Sequence, residues 1–299
     1  MDSANRKWLP SKEAFQYFYM IIPALVLFSI FLFYPVLGGI YYSLTDWNGV
    51  DPGYHFIGFQ NYVTFFTDFY VLTPLKNSFI FAFVLTIVQN VVSLVLALAL
   101  NKKLKTKNML RTVIFIPVLL SSLMVGYLWN YLFTEPIALL GQLLHIEVMG
   151  NNLLGSANTA LYAAVFVSVW KMAGWNMVIY IAALQGIPTE IYEASELDGA
   201  TGWKKFRYIT FPLIAPAFTV NMVLTLERGF KEFDLLFSLT QGGPGNSSEI
   251  ISLTIYRESF EYFRAGYGTT MGVILFLIII IITLIQLKFL RKREEDVIY

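Results

Sequence analysis

Long apolar stretches alternate with short polar ones along nearly the whole chain. A helix needs about 20 mostly apolar residues to cross a bilayer. Six runs reach that length: Tyr17–Leu44, Leu75–Leu100, Leu110–Phe133, Thr159–Leu184, Phe211–Phe237 and Thr269–Leu290. The pattern therefore predicts six membrane-spanning helices. The fifth run is unusual in carrying Glu227, Arg228, Lys231, Glu232 and Asp234 near one end. Prolines fall inside several runs: Pro23 and Pro35 in the first, Pro117 in the third, Pro212 and Pro216 at the start of the fifth. Membrane helices accept proline where neighbours satisfy the freed carbonyls, so bent helices are expected.

The basic residues orient these spans, because cytoplasmic loops collect Lys and Arg. One side holds Arg6, Lys7 and Lys12, then Lys102, Lys103, Lys105, Lys107 and Arg111, then Lys204, Lys205 and Arg207, and finally Lys288, Arg291, Lys292 and Arg293. These are 15 of the 21 basic residues. The opposite loops hold Lys76, Arg257 and Arg264, while Lys171, Arg228 and Lys231 fall within spans. Both termini are thus predicted to be cytoplasmic. The expected layout is a cytoplasmic N-terminal segment (1–16), a six-helix transmembrane domain (17–290) with a polar cytoplasmic loop at 187–210, and a cytoplasmic tail (291–299). The class is all-α and integral to the membrane.

Composition agrees and removes other classes. The chain of 299 residues is 57% hydrophobic and 14% charged, against about 25% charged in soluble domains. A net charge of +1 gives no basic field for nucleic acid. The absence of cysteine excludes disulfides, thiolate metal sites and a Cys nucleophile. His55 and His145 are too far apart in sequence to suggest a zinc site. There is no GxxxxGK phosphate loop followed by Ser or Thr, no HExxH and no GxSxG, so neither nucleotide binding of that kind nor hydrolysis has residues to support it. No catalytic, cofactor-binding or metal-binding residue is assigned. Transport is the default reading for such a chain.

The loop reading EASELDGATGWKKFRYITFP, Glu193 to Pro212, is the most ordered polar interval. Pro188 opens a helix, Glu190 suits its N-terminal dipole, Gly199 ends it in a left-handed turn, and Thr201 caps a second short helix running to about Thr210. Glu190, Glu193 and Glu196 form an acidic stripe. Ala194, Ser195 and Ala200 are small enough to admit another surface. Trp203 and Phe206 are expected to tuck beneath the acidic helix or the spans. From pattern alone, a solvated connector on the headgroups and a protein-docking element are equally open.

The spacing adds a resemblance. Glu193-Ala194-Ser195, three residues, Gly199, nine residues, then Ile209-Thr210-Phe211-Pro212 resembles the EAA loop of binding-protein-dependent ABC importers. FKEFDLLFSLTQGGPGNSSE, Phe230 to Glu249, is similar to the fifth-span end and outer loop of sugar-importer permeases of the maltose and glycerol-phosphate type. Membership of that family implies a second homologous permease and two cytoplasmic ATPases that bind ATP and Mg, with no cofactor on this chain. It also implies an extracytoplasmic solute-binding protein, a sugar or oligosaccharide substrate, and a multi-pass place in the bacterial cytoplasmic membrane. The coupling residues it implies are Glu190, Glu193, Ala194, Ser195, Asp198, Gly199 and Ala200.

In the maltose-type relatives the segments matching Ser168–Trp175 and Gly229–Glu232 line the sugar site, so the resemblance implies Ser168, Lys171, Trp175, Gly229, Lys231 and Glu232 as pathway candidates. An ionisable residue inside a span is costly and marks function by default, and an aromatic face beside polar donors suits a sugar ring. The alternative for Lys171 and Lys231 is pairing with Glu227, Glu232 or Asp234 to hold the bundle together. Asn90 and Asn221 are expected to hydrogen-bond between helices. A stand-alone secondary transporter relaying protons through Lys171 and Glu227 or Glu232 is a competing reading, as is a membrane scaffold docked through the loop. The chain shows no internal symmetry of the kind common in secondary transporters.

Overall fold

A computed structural model describes residues 12–102, 104–146, 150 and 152–298. The N-terminal segment as far as residue 11, with Arg6 and Lys7, lies outside the described residues, as do Lys103 and the last residue of the tail. Helices make up most of what is described; among the described residues one isolated bridge joins Thr45 to Phe56.

Four helical stretches are long and apolar enough to cross a membrane: Tyr19–Tyr42, Phe69–Leu100, Ala160–Gln185 and Ala265–Arg291. Two further spans exist only if a bent pair counts as one, Lys107–Leu119 with Ser122–Leu143 and Gly202–Leu213 with Ala215–Lys231. These pairs bend by 99° and 71°. The predicted third and fifth runs are therefore broken rather than straight, and proline is the physical cause. Helix α5 (Lys107–Phe115) tightens into a 3-10 turn, Ile116–Leu119, containing Pro117; Leu120 and Ser121 are extended before α6 (Ser122–Thr134) begins. Pro216 lacks the N–H that would bond to the Pro212 carbonyl, and the chain kinks at Ile214 before α12 (Ala215–Lys231). In the first span, α1 (Lys12–Phe28) and α2 (Tyr34–Tyr42) join through a widened π turn, Ser29–Phe33, just ahead of Pro35.

The remaining helices follow in order. They are α3 (Gln60–Thr67), α4 (Phe69–Leu100), α7 (Pro136–Leu143), α8 (Ala160–Gln185), α9 (Thr189–Leu197), α10 (Gly202–Lys205), α11 (Phe211–Leu213), α13 (Asp234–Leu239), α14 (Ile251–Tyr256) and α15 (Ala265–Ile298). Helix α4 is the centre of the bundle. Its N-terminus is capped by Asp68, whose Oδ1 accepts from the Tyr70 N–H at 2.9 Å. Phe81 and Leu85 pack with Val125, Val165 and Leu236; Ala82 packs with Leu226, Phe230 and Met271; Ala97 and Leu100 pack with Met177, Tyr180 and Ile214. Burial between lipid-facing helices yields little hydrophobic gain, so close packing and interhelical hydrogen bonds carry the association. Gly229 permits a close crossing of α12 and α4: a Cβ there would lie 2.8 Å from the Ala82 Cα.

Polar side chains stitch the same helices. Tyr180 donates to Asn90 Oδ1 at 2.6 Å, Ser93 to the Ala173 carbonyl at 2.9 Å, and Asn221 Nδ2 to the Asn176 carbonyl at 3.2 Å. Asn90 and Asn221 thus join helices as expected, each bond being worth ~0.6–2 kcal/mol. At the other end of α4, Asn77 Nδ2 donates to the Ser247 and Glu249 carbonyls at 3.0 and 2.9 Å, and Ser78 Oγ accepts from the Ile251 N–H. Arg257 then pairs with the buried Glu249 at 2.8 Å. The glycine-rich turn after α13 is thereby pinned to the bundle.

Candidate functional site

Two polar regions stand out from the apolar frame. The first is a cavity of about 340 Å³ among α6, α8, α12 and α13. The break after α12 builds it. Helix α12 stops at Lys231, Glu232 turns extended (φ −61°, ψ 127°), and α13 restarts at Asp234. Irregular backbone at membrane depth is tolerated where it lines a cavity. Ser252 Oγ donates to the Glu232 carbonyl, satisfying one of the groups the break exposes.

One face of α8 supplies Ser168, Lys171 and Met172 at helical spacing; α12 supplies Arg228 and Lys231; the break supplies Glu232 and Phe233. Ser122, at the start of α6 just past the bend, completes the opposite wall with Asp234 and Leu235 of α13. Lys171 is 9% exposed, and its ammonium donates to Ser122 Oγ. Arg228 Nη2 donates to Gln89 Oε1 on α4. Lys231 pairs with Glu227 one turn back on its own helix, at 2.5 Å. Ser168 Oγ and Arg228 Nε have no hydrogen-bond partner among the described residues.

The structure thus brings together Ser168, Lys171, Lys231 and Glu232 of the predicted pathway residues. It does not bring Trp175 or Gly229 into the lining. Trp175 is 47% exposed on the outside of α8, and Gly229 packs against Ala82. The cavity's aromatic ring belongs instead to Phe233, which stacks on Phe237 with centroids 5.4 Å apart. Pairing explains Lys231, through Glu227, but not Lys171, whose partner is a hydroxyl. Sequence reading missed Ser122, Arg228, Phe233 and Asp234 as lining residues. Arg228 carried a signal, being an ionisable residue within an apolar run; Ser122 carried none. An apolar ring beside both cationic donors and carboxylate acceptors is chemistry suited to a polyhydroxylated solute.

The second region is the loop between α8 and α12. Pro188 precedes α9, and Glu190 sits in its first turn. Gly199 takes φ +76°, its N–H bonding to the Glu196 carbonyl at 3.0 Å while the Ala200 N–H bonds to Ser195 at 2.8 Å. This is a Schellman ending. Thr201 stands at the cap of α10 with extended backbone, but its hydroxyl makes no capping bond. The second helix runs into a π turn, Phe206–Thr210. Lys205 crosses back to Glu196 at 2.5 Å and lies over the Tyr192 ring, joining the two short helices.

Glu190, Glu193, Ala194, Asp198 and Gly199 are exposed, Ala200 is half-buried, and Ser195 is buried, its hydroxyl bonded to the Tyr192 carbonyl. Trp203 does not tuck under as expected: it is 72% exposed, its ring meeting that of Phe206 at 5.2 Å. With Leu197 at 90% and Tyr208 at 76%, it leaves large apolar groups uncovered beside the acidic stripe.

Comparison with known proteins agrees with this architecture. Residues 89–295 match the family model described as binding-protein-dependent transport system inner membrane component. The chain is 39% identical over 285 residues to the probable starch degradation products transport system permease protein AmyD of Thermoanaerobacterium thermosulfurigenes, covering 95% of this chain and 97% of that one. It is 32% identical to the multiple sugar-binding transport system permease protein MsmF of Streptococcus mutans, covering 92% and 95%. It is 30% identical to the trehalose/maltose transport system permease protein MalF of Thermococcus litoralis, covering 99% and 100%. In fold it resembles a bacterial ABC transporter involved in import of the acidic polysaccharide alginate, with a TM-score of 0.79, 23% identity, and coverage of 94% and 96%.

Proposed function

The chain belongs to the binding-protein-dependent transport system inner membrane component family and is a multi-pass permease subunit of a sugar or oligosaccharide ABC importer; from that premise we propose how its two polar regions divide the work. The chain is a transport subunit and not an enzyme. The mid-bundle cavity is the solute site, and the 187–210 loop is the coupling element gripped by a cytoplasmic ATPase. ATP and Mg bind to two such ATPases. A second, homologous permease completes the pathway and an external solute-binding protein delivers the sugar. The chain has six spans, with both termini and the loop on the cytoplasmic side of a bacterial cell membrane.

The observation that carries the solute reading is the mixture of charges around one cavity. Lys171 and Arg228 offer donors and Glu232 and Asp234 offer acceptors within the one lining. Lys231 is already balanced by Glu227. An anionic sugar would meet two carboxylates there, whereas a neutral one finds both donors and acceptors for its hydroxyls. We therefore take the substrate to be a neutral oligosaccharide, in keeping with the starch degradation products named for the 39% relative. Docking rests on the exposed Leu197, Trp203 and Tyr208 beside Glu190 and Glu193, since uncovered apolar groups with a charged rim mark protein contacts. Lys205 and Glu196 tie the loop's two short helices together, and the loop connects α8 to α12, both of which line the cavity. A pull on it would rock both together, opening one side and closing the other.

The test is uptake and ATP hydrolysis by the complex reconstituted with its partner permease, ATPase and binding protein. Glu193→Arg is expected to prevent ATPase attachment or to leave hydrolysis no longer linked to uptake. Uptake by this chain alone, driven by a proton gradient and indifferent to ATP depletion, would sink the proposal.

A further inference from the structure

Each unpaired cation of the cavity is held by an uncharged partner, and the partner of Arg228 comes from a helix that does not line the cavity. Gln89 sits on α4 and is fully buried. Its Oε1 accepts from Arg228 Nη2. A guanidinium only donates, so the carbonyl of Gln89 must face it and the amide nitrogen must face away. There the amide donates to Asn176 Oδ1 at 3.0 Å; Asn176 Nδ2 donates to Thr225 Oγ1 at 2.8 Å, and Thr225 donates to the Asn221 carbonyl at 2.7 Å. The direction of every bond in this buried chain follows from the arginine at its end. Gln89 is therefore fixed on both sides.

The consequence lies in what Arg228 does not do. Glu232 is four residues further on, a spacing at which Arg and Glu pair readily on a helix. Yet Arg228 has no carboxylate within 4.0 Å among the described residues. Glu232 leaves the helix at the break, and Gln89 holds the guanidinium toward α4. Arg228 Nε and Ser168 Oγ, both buried on residues that line the cavity, have no hydrogen-bond partner among the described residues.

We propose that Gln89 is a positioning residue of the solute site, keeping Arg228 apart from Glu232 so that the cavity offers a free donor and a free acceptor to a hydroxylated solute. This rests on the reading of the cavity as the solute site. Without Gln89, the guanidinium relaxes onto the Glu232 carboxylate, and a neutral sugar must then break that pair before it can bind. In a low-dielectric cavity that competition is severe.

The experiment measures binding of radiolabelled maltotriose to the assembled importer in nanodiscs, with assembly followed by size-exclusion chromatography. Gln89→Leu is expected to weaken binding about tenfold, the scale of one lost hydrogen bond to a charged group. The double variant Gln89→Leu/Arg228→Met should bind no more weakly than Arg228→Met alone, because Gln89 acts through the arginine. Gln89→Glu keeps an acceptor for Arg228, and Asn176 can turn its amide over because the Thr225 hydroxyl also donates; its affinity should stay within about twofold of the wild type. Unchanged affinity in Gln89→Leu, or losses that add in the double variant, overturns the inference. If Gln89→Leu fails to assemble, Gln89→Glu decides: retained affinity supports the inference and a tenfold loss overturns it. Lys171→Met and Glu232→Gln separate the two levels. If both bind as the wild type, the cavity is not the solute site. If they weaken binding and Gln89→Leu does not, only the role of Gln89 falls.

Discussion

Valine at Gly229 tests the central crossing of the bundle. A Cβ at 229 would lie 2.8 Å from the Ala82 Cα, 3.1 Å from its Cβ and 3.5 Å from Leu85 Cδ2. Carbon atoms rest at about 3.5–4.0 Å, so α4 and α12 must part by about 1 Å, and the nearest atom is backbone that cannot rotate aside. Overpacking of this kind costs about 1–3 kcal/mol. Alanine is a poor probe, because it returns about 1 kcal/mol of helix propensity and can hide the strain. Valine adds two methyl groups and returns less. Gly229 also adjoins Arg228, whose bond to Gln89 spans the same two helices. Gly229→Val is therefore expected to lower the thermal midpoint of the purified complex by several degrees and to weaken sugar uptake as well. Adding Ala82→Gly should recover only part of the loss, since it removes the 3.1 Å contact but leaves the 2.8 Å one. A Gly229→Val complex that melts and transports like the wild type would refute the reasoning.

Two further outcomes follow from the loops. Cysteine at Lys105 should resist a membrane-impermeant thiol reagent in intact cells while cysteine at Asn246 reacts; both positions are exposed, and the reverse pattern would invert the topology. In the loop after the first span, Asp46 accepts the His55 backbone N–H at 2.6 Å, and that bond, ahead of the His55 side chain, holds its carboxyl below the ordinary value of 3.8. A depressed carboxyl stabilises the folded loop above the unfolded value, and the contribution disappears as pH falls through the lower, folded one. Protection of the His55 amide from hydrogen exchange, corrected for intrinsic rate, should drop as pH falls below about 3.8; protection at pH 2 equal to that at pH 5 would contradict it.

Much was legible from local pattern. The helical stretches overlap the six apolar runs, since apolar length is a property of consecutive residues. The 187–210 loop was readable because Gly199 and Pro188 act on their own backbone. The cavity was readable only in part. Lys171, Lys231 and Glu232 announced themselves as charges in an apolar setting, but nothing near Ser122 or Gln89 in sequence says that either will hold a cation. Trp175 looked like a sugar platform and Trp203 like a buried anchor. Trp175 is 47% exposed on α8 and Trp203 72% exposed on α10, and exposure is set by the packing around a side chain rather than by its neighbours in sequence.

What the sequence by itself determined is therefore what depends on neighbours along the chain: membrane-length helices, their basic-residue bias, the proline breaks and the glycine turn. What only the tertiary structure decided is which charges meet which partners. Lys171 meets Ser122 because α6 restarts after its bend beside α8, Arg228 meets Gln89 because Gly229 lets α12 press against α4, and Phe233 enters the cavity because the helix stops two residues earlier. Those pairings are set by how helices cross, and crossing depends on side-chain volumes brought together from opposite ends of the chain.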